Sequence, residues 1–115
     1  MKKFEGICAA LLTPYDESGK VNCAMLKKQV RWLIGQGIDG FYVCGSTGEA
    51  FLLSPQERMA ILDAVCEENN GEKLVIAHIG QIATEHALEL GRHAKAAGAD
   101  AISSISPFYY KFSSA

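Results

Sequence analysis

Apolar residues along this chain occur either in short unbroken runs or at helical spacing. The first unbroken run covers residues 6–12 and ends at Thr13-Pro14. Similar runs follow at residues 40–44 and 74–77, and residues 101–105 are a fourth strand candidate that contains two serines. Unbroken runs of this length, rich in β-formers, are typical of strands that are buried on both faces of a parallel sheet. The sequence therefore predicts four buried β-strands.

Between these runs, apolar residues recur with the period of an α-helix. The first predicted helix has its apolar face at i, i+4, i+7 and i+8, which are Leu26, Val30, Leu33 and Ile34. The second has its apolar face at Ile61, Leu62, Val65 and Cys66. The third has a face of small residues, Ala87, Gly91 and Ala94. Three helices thus connect the four strands.

Capping residues predict where these helices begin and end. Ser54, Pro55 and Glu57 fit an N-cap, a first helical residue and a capping-box partner. Thr84 is the expected N-cap of the third helix. Residues that tolerate a left-handed conformation should end the three helices, at Gly37, Asn70-Gly71 and Gly98.

The β-then-α unit repeats, and the helix-to-strand junctions repeat with it. Gly37-Ile-Asp39-Gly40 precedes strand two, and Gly98-Ala-Asp100-Ala101 precedes strand four. Repeated units of about 30 residues indicate a parallel sheet with right-handed crossovers, either doubly wound or a TIM barrel. The first strand lacks the G-x-G-x-x-G fingerprint of dinucleotide-binding sheets, which favours the barrel. A complete barrel needs about 250 residues, so these 115 are predicted to form its N-terminal half.

Charge and cysteine content narrow the class of protein. Thirteen acidic and eleven basic residues give a net charge of −2, without a basic stripe for nucleic acid. No apolar run is long enough to cross a membrane, and Lys2-Lys3 is followed by Glu5 rather than by a signal-peptide core. The four cysteines lack C-x2-C spacing and are expected to be reduced. We therefore expect a cytoplasmic α/β protein.

The loop after strand two is the first candidate site. Gly45-Ser46-Thr47-Gly48-Glu49 combines glycines, which let backbone N–H groups converge, with two hydroxyl donors. No lysine follows the second glycine, so a carboxylate is a better ligand than a polyphosphate. The alternative is a glycine turn with capping hydroxyls, and spacing alone does not decide between them.

Aromatic and histidine residues supply weaker candidates. Tyr109 and Tyr110, after strand four, could relay a proton or could pack against a neighbouring element. His78 fits a core or rim histidine better than a base. His86 and His93 lie seven residues apart on one helix, without a third ligand, so no metal site is expected.

These loops, in this order, resemble those of the Schiff-base TIM-barrel superfamily that contains N-acetylneuraminate lyase and dihydrodipicolinate synthase. The resemblance covers residues 4–113 and is carried by residues 10–14, 40–51, 54–58 and 106–112. The lyase branch usually has G-S-T-G-E-A-F and P-F-Y-Y, whereas the synthase branch more often has G-T-T-G-E and P-Y-Y-N. The chain matches the lyase branch at Ser46, Phe51, Phe108 and Tyr110.

The resemblance implies a role for residues of both loops. Ser46 and Thr47, flanked by Gly45 and Gly48, would bind the carboxylate of pyruvate or of sialic acid. Thr47 and Tyr109 would belong to the proton-relay machinery, with Tyr109 crossing a subunit interface in a homotetramer. The family reaction is the reversible cleavage of N-acetylneuraminate to N-acetylmannosamine and pyruvate, through a lysine Schiff base and without a metal or organic cofactor.

The resemblance also places part of the catalytic machinery beyond Ala115. The family carries its Schiff-base lysine on strand six and its principal tyrosine near strand five. We therefore expect residues 1–115 to form one partial barrel domain, truncated before that lysine and inactive alone. Two alternatives are dihydrodipicolinate synthase or another pyruvate-dependent aldolase, and a non-catalytic assembly module. The expected partners are a small-molecule substrate and further copies of the protein, without nucleic acid or membrane.

Overall fold

The computed structural model describes residues 2–106 and 113, and strands and helices alternate along this part of the chain. The strands are β1 (Cys8–Ala10), β2 (Gly40–Val43), β3 (Leu74–His78) and β4 (Ala101–Ser103). The helices are α1 (Cys23–Gly35), α2 (Pro55–Asn69) and α3 (Thr84–Ala97), with a 3₁₀ turn at Ala50–Leu52 before α2. The predicted order of four strands and three helices is confirmed.

The four strands form one parallel sheet in the order β1-β2-β3-β4. In this sheet Ala9 pairs with Phe41, Phe41 with Val75, and Ala77 with Ile102. The helices pack in sequence, α1 on α2 and α2 on α3, so they form one layer. A doubly wound sheet would reverse its strand order and carry helices on both faces. Sequential strands under one helical layer are instead the arrangement of a barrel wall.

The hydrophobic core lies between the sheet and the helical layer. The strands contribute Phe41, Val43, Val75 and Ala77, and the helices contribute mainly Leu26, Val30, Ile61, Leu62 and Val65. Because side chains alternate along a strand, the opposite face of the sheet carries another set. We call that set the inner face: Tyr42, Ile76, His78 and Ser103.

The outer strands are shorter and more exposed than the sequence predicts. β1 has three residues rather than the predicted 6–12, and β4 ends at Ser103 rather than at residue 105. Ile7 is 71% exposed and Ile102 is 55% exposed. A strand is buried on both faces only where a neighbouring strand and covering elements are present. The described residues provide no further strand beside β1 or β4.

The two repeated aspartates make the same pair of hydrogen bonds. The Asp39 N–H donates to the Ile7 carbonyl (2.9 Å), and the Ile7 N–H donates to Asp39 Oδ2 (2.8 Å). The Asp100 N–H donates to the Val75 carbonyl (2.8 Å), and the Val75 N–H donates to Asp100 Oδ2 (2.9 Å). Each junction therefore anchors the start of one strand to an earlier strand, which confirms the predicted repeat at the N-terminal edge of the sheet.

The start of α2 matches its predicted capping box, whereas the start of α3 does not match its predicted cap. The Glu57 N–H donates to Ser54 Oγ (3.1 Å), and the Ser54 N–H donates to Glu57 Oε1 (2.9 Å). The Thr84 prediction is wrong: Ala83 is the N-cap of α3, without a side-chain cap, and Thr84 is already helical. The extended backbone at residue 83 displaces the helix start by one position, so the threonine hydroxyl is not in the capping place.

Left-handed residues end the helices as predicted. Gly37, Asn70 and Gly98 have φ angles of 85°, 45° and 90°. The backbone N–H of Gly98 donates to the Lys95 carbonyl, which closes the last turn of α3. Within residues 2–106, no helix combines the length and apolar character needed to cross a bilayer.

Candidate functional site

The loop that follows β2 turns sharply at the C-terminal end of the strand. Cys44 has a φ of 58°, a left-handed conformation that residues other than glycine seldom adopt. The Gly48 N–H then donates to the Gly45 carbonyl at 3.1 Å. We call residues 44–49 the site loop. Its backbone leaves the strand in a tight turn, as the glycine spacing predicts.

Ser46 and Thr47 lie between the two glycines of the site loop. Both are exposed, whereas Gly45 and Gly48 are buried. Their position at the C-terminal end of β2 is the predicted one, and the helices of the described chain do not cover them. Their role in binding a carboxylate stays a prediction at this point.

A threonine at the end of the first strand anchors the site loop. Buried Thr13 Oγ1 donates to the Gly48 carbonyl at 2.6 Å. A Cβ atom on Gly48 would lie 3.1 Å from the Leu11 carbonyl oxygen and 3.4 Å from Thr13 Oγ1. A side chain at position 48 would therefore press the loop away from β1. From the sequence alone Thr13 is a strand stop, and its hydrogen bond to the Gly48 carbonyl is not predicted.

A second contact joins the same two loops. The Tyr15 hydroxyl donates to the Glu49 carboxylate. Burial raises the pKa of Tyr15, and the hydrogen bond to Glu49 raises it further. Tyr15 is therefore a protonated phenol at neutral pH, and it links the loop after β1 to the site loop.

Tyr42 brings a phenol to the inner face beside the site loop. Its hydroxyl lies 3.0 Å from Ser103 Oγ, so one hydrogen bond spans the sheet from β2 to β4. A Cβ atom on Gly45 would lie 2.5 Å from Tyr42 Cε1. Only glycine fits against this ring at position 45. The sequence does not predict the Tyr42–Ser103 hydrogen bond, because this bond depends on the register of three strands.

Arg58 and His78 form a buried hydrogen-bond network next to the site loop. Arg58 is 2% exposed; its Nη1 donates to the Gly80 carbonyl (2.8 Å) and its Nη2 to the His78 carbonyl (2.6 Å). His78 Nδ1 lies 2.8 Å from the Cys44 carbonyl, and the Ile105 N–H lies 3.4 Å from His78 Nε2. Arg58 Nη2 also lies 3.3 Å from His78 Nδ1. We assign the proton to Nδ1, because this tautomer donates to the Cys44 carbonyl and lets Nε2 accept from Ile105, while Arg58 Nη2 donates to the His78 carbonyl. The network connects α2 and β3 to the first residue of the site loop.

Burial determines the charge states in this network. Burial raises the pKa of the Cys44 thiol to about 11, against the opposing effect of Arg58. Burial also lowers the pKa of His78, and it outweighs the hydrogen bond to the Cys44 carbonyl, which raises that pKa. The thiol and the imidazole are therefore uncharged at neutral pH. His78 is the core histidine that the sequence predicts, and the network positions the loop.

Arg58 is the functional residue that the sequence could have revealed. Arg58 precedes Ile61, Leu62 and Val65 by three, four and seven residues, so it lies on the apolar face of α2. An arginine on a buried face must donate to carbonyls or pair with an acid. Within the described chain it does the former, and burial lowers its pKa.

The remaining histidines and cysteines do not form a metal centre in the described chain. His93 Nε2 lies 2.9 Å from Asp63 Oδ1, whereas His86 is exposed. Residues 2–106 contain no cluster of three or more histidine, cysteine or acidic side chains suited to a metal. All four cysteines are free.

Two parts of the expected site are not supplied by the described residues. Tyr109 and Tyr110 lie in the segment 107–112, outside the described residues. No lysine lies within β1–β4. The C-terminal edge of the described sheet therefore offers hydroxyl donors and a turn suited to an anion, but its strands carry no lysine amine that could act as a nucleophile.

Comparison with protein families and curated proteins gives one consistent result. Residues 3–115 match the Dihydrodipicolinate synthetase family. An N-acetylneuraminate lyase of Salmonella newport is 48% identical over 112 residues, which are 97% of this chain and 38% of that protein. The chain therefore spans little more than a third of the length of such relatives.

Solved structures agree with this result. CdNal from Clostridium difficile, in complex with mannosamine, superposes with a TM-score of 0.92 at 39% identity, over 97% of this chain and 39% of its own. YagE from Escherichia coli K12, a prophage protein of the dihydrodipicolinic acid synthase family in complex with pyruvate, superposes with a TM-score of 0.89 at 32% identity, over 96% and 37% of the two chains. The four strands and three helices correspond to the N-terminal part of a TIM-barrel aldolase.

Proposed function

The chain belongs to the Dihydrodipicolinate synthetase family, and on this premise we propose that it is the N-terminal part of a lyase that cleaves N-acetylneuraminate reversibly to N-acetylmannosamine and pyruvate. The 48% identity to an N-acetylneuraminate lyase supports this substrate. So does the similarity to CdNal, which was solved with mannosamine. Matches to the lyase-branch motifs at Ser46 and Phe51 agree with both.

The observation that carries the proposal is the site loop at the C-terminal end of β2. Its exposed Ser46 and Thr47 are flanked by two buried glycines, and Thr13 and His78 hold its backbone from either side. Hydroxyl and backbone N–H donors in a tight turn suit a carboxylate. In the proposed enzyme this loop binds the carboxylate shared by pyruvate and N-acetylneuraminate.

The covalent step belongs to residues outside the described strands. In the proposed reaction a lysine amine adds to the substrate ketone and water leaves, which forms a protonated imine. The imine accepts the electron pair of the breaking carbon–carbon bond while a base removes the sugar hydroxyl proton. Thr47 and Tyr109 would belong to the proton relay. No metal or organic cofactor takes part in this proposal.

Assembly and location follow from the same family relationship. Tyr109 would reach across an interface into a neighbouring active site, which implies a homotetramer. We also propose that the complete enzyme is cytoplasmic, as the sequence predicts.

One alternative function has its own support. YagE, at 32% identity, binds pyruvate within the dihydrodipicolinic acid synthase family. The carboxylate-binding loop would serve any pyruvate-dependent aldolase equally well. Dihydrodipicolinate synthase or another aldolase of this type is therefore the second candidate, and a non-catalytic assembly module is the third.

A titration of the ¹⁵N-labelled chain with pyruvate tests the role of the site loop. Backbone resonances of residues 45–48 should shift with pyruvate but not with acetone, which has the ketone without the carboxylate. Thr47→Val should weaken binding about tenfold, because a hydrogen bond to a charged group contributes about 1.5–3 kcal/mol. Thr84→Val, also at an exposed position, is the matched control. Equal shifts with acetone, or undiminished binding by T47V, would count against the carboxylate site.

The substrate is tested on the chain joined to the polypeptide encoded downstream of it. Borohydride reduction in the presence of pyruvate should trap a lysine adduct, and N-acetylneuraminate should yield pyruvate. Trapping without release of pyruvate from N-acetylneuraminate would favour the second candidate. Neither trapping nor release would favour the assembly module.

A further inference from the structure

A small cavity with a few polar wall atoms lies between the sheet and the helices α2 and α3. Its walls include Cys44, Arg58, His78, Leu90 and His93. The space available to the centre of a water molecule is about 10 Å³. This is enough for one ordered water and too little for a metabolite.

Two buried polar atoms of the wall residues have no hydrogen-bond partner among the residues that the structure describes. They are Arg58 Nε and His93 Nδ1. Nη1 and Nη2 of Arg58 bond to the Gly80 and His78 carbonyls, so Nε is the guanidinium nitrogen that has no partner among the described residues. Buried polar atoms in folded proteins nearly always have a partner, from the protein or from water.

The two atoms have opposite hydrogen-bonding character. Arg58 Nε always carries a proton and is a donor. His93 Nε2 lies 2.9 Å from Asp63 Oδ1, so its proton is on Nε2 when the ring is neutral. Nδ1 of that ring is then an acceptor.

We propose that this cavity binds a single buried water, which accepts a hydrogen bond from Arg58 Nε and donates one to His93 Nδ1. Cys44, whose sulfur is a weak acceptor, also lines the cavity. One molecule thus satisfies both orphaned atoms, as buried waters commonly do.

The water gives α3 a connection to the site loop. Arg58 bonds to His78, and His78 bonds to the Cys44 carbonyl at the start of the loop. His93 belongs to α3 and Arg58 to α2. A water between them extends this network across the helical layer, so the site loop is held from β3, α2 and α3 together.

A halide is the competing occupant, because Arg58 is a buried cation that forms no ion pair with a carboxylate among the described residues. An anion would require both wall atoms to be donors. His93 Nδ1 is an acceptor in the neutral ring and would repel it. Water satisfies one donor and one acceptor, which is the pair that Arg58 Nε and the neutral His93 ring offer.

The test is a high-resolution crystal structure of the chain at neutral pH, fused to a carrier protein if needed, with a parallel bromide soak. We expect a density peak within about 3.2 Å of both Arg58 Nε and His93 Nδ1, without anomalous bromide signal. In solution, Arg58 Nε–H should show cross-relaxation with water, and ¹⁵N couplings should place the His93 proton on Nε2.

Substitution on α3 adds a matched comparison. His93→Phe should abolish the peak and the cross-relaxation, whereas His86→Phe, at an exposed position of the same helix, should retain both. Bromide in the cavity, a protonated His93 Nδ1, or an absent peak in the wild-type crystal would each overturn the proposal. The wild-type crystal decides the matter even if H93F fails to fold.

Discussion

At the residue scale, the site loop is held mainly through its backbone. Thr13 donates to the Gly48 carbonyl, and His78 donates to the Cys44 carbonyl. A buried carbonyl that loses its donor costs about 1–3 kcal/mol. The shape of the loop therefore depends on His78 in β3 and on Thr13 in the loop after β1.

We expect His78 to make the chain less stable as pH falls below about 6.5. Unfolded histidine has a pKa of about 6.5, whereas burial lowers the pKa of folded His78. Below the unfolded value, the unfolded state binds a proton that the folded state does not, so the free energy of unfolding decreases. Its slope reaches at most about 1.4 kcal/mol per pH unit, and the contribution is complete above the unfolded pKa. Urea unfolding between pH 8 and pH 5, followed by circular dichroism, measures it.

Two variants isolate this effect. His78→Asn should remove that part of the slope, because asparagine does not titrate. His86→Asn, at an exposed position of α3, should leave the slope unchanged. If H78N unfolds with the wild-type pH dependence, then buried His78 is not the neutral group described above.

At the element scale, α2 and α3 differ in how they begin. Ser54 caps α2 through a complete capping box, whereas α3 begins after Ala83 without a side-chain cap. Ser54→Ala should lower the free energy of unfolding by about 1 kcal/mol. Thr84→Ala should change it by less than about 0.5 kcal/mol, because Thr84 is an exposed helical residue. Urea denaturation of both variants beside the wild type measures the difference.

A reciprocal variant strengthens that test. Ala83→Ser places a hydroxyl at the N-cap of α3 and should stabilise the chain by up to about 1 kcal/mol. Equal losses from S54A and T84A, or a loss from A83S, would mean that α3 begins elsewhere.

At the scale of the whole molecule, β1 and β4 form the two edges of the described sheet, and no further described strand pairs with either. Ile7, Leu12 and Ile102 are all more than half exposed, on or beside β1 and β4. At about 25 cal/mol per Å² of apolar surface, covering a few such side chains is worth several kcal/mol. The 115-residue polypeptide should therefore self-associate, which light scattering after size-exclusion chromatography detects. A stable 12.4 kDa monomer would contradict this.

A charge on an edge strand should reduce this association. Ile102→Lys places a lysine on β4, where strand pairing would bury it. Leu52→Lys is the control, since Leu52 is 78% exposed but lies on the 3₁₀ turn rather than on an edge strand. I102K should shift the population towards monomer, and L52K should not.

The same polypeptide should not cleave N-acetylneuraminate. Its described strands carry no lysine, so the imine cannot form there, and binding alone does not replace the covalent step. A coupled assay for pyruvate release should read background, with a complete bacterial N-acetylneuraminate lyase as the positive control. Turnover by the purified 115-residue chain would show that the catalytic lysine lies within it.

The sequence by itself determined the order of elements, most helix ends and the placement of the site loop. These depend on local interactions, such as the capping box at Ser54 and the left-handed residues Gly37 and Gly98. The periodicity of apolar residues and the local hydrogen bonds each depend on a few residues that are close together in the sequence. The motif at residues 45–49 can therefore be identified from the sequence alone.

Only the tertiary structure decided which side chains meet. The Tyr42–Ser103 hydrogen bond joins residues 61 positions apart, and the Thr13–Gly48 bond joins residues 35 apart. Such contacts depend on strand register and on the direction of each turn, which single residues do not encode.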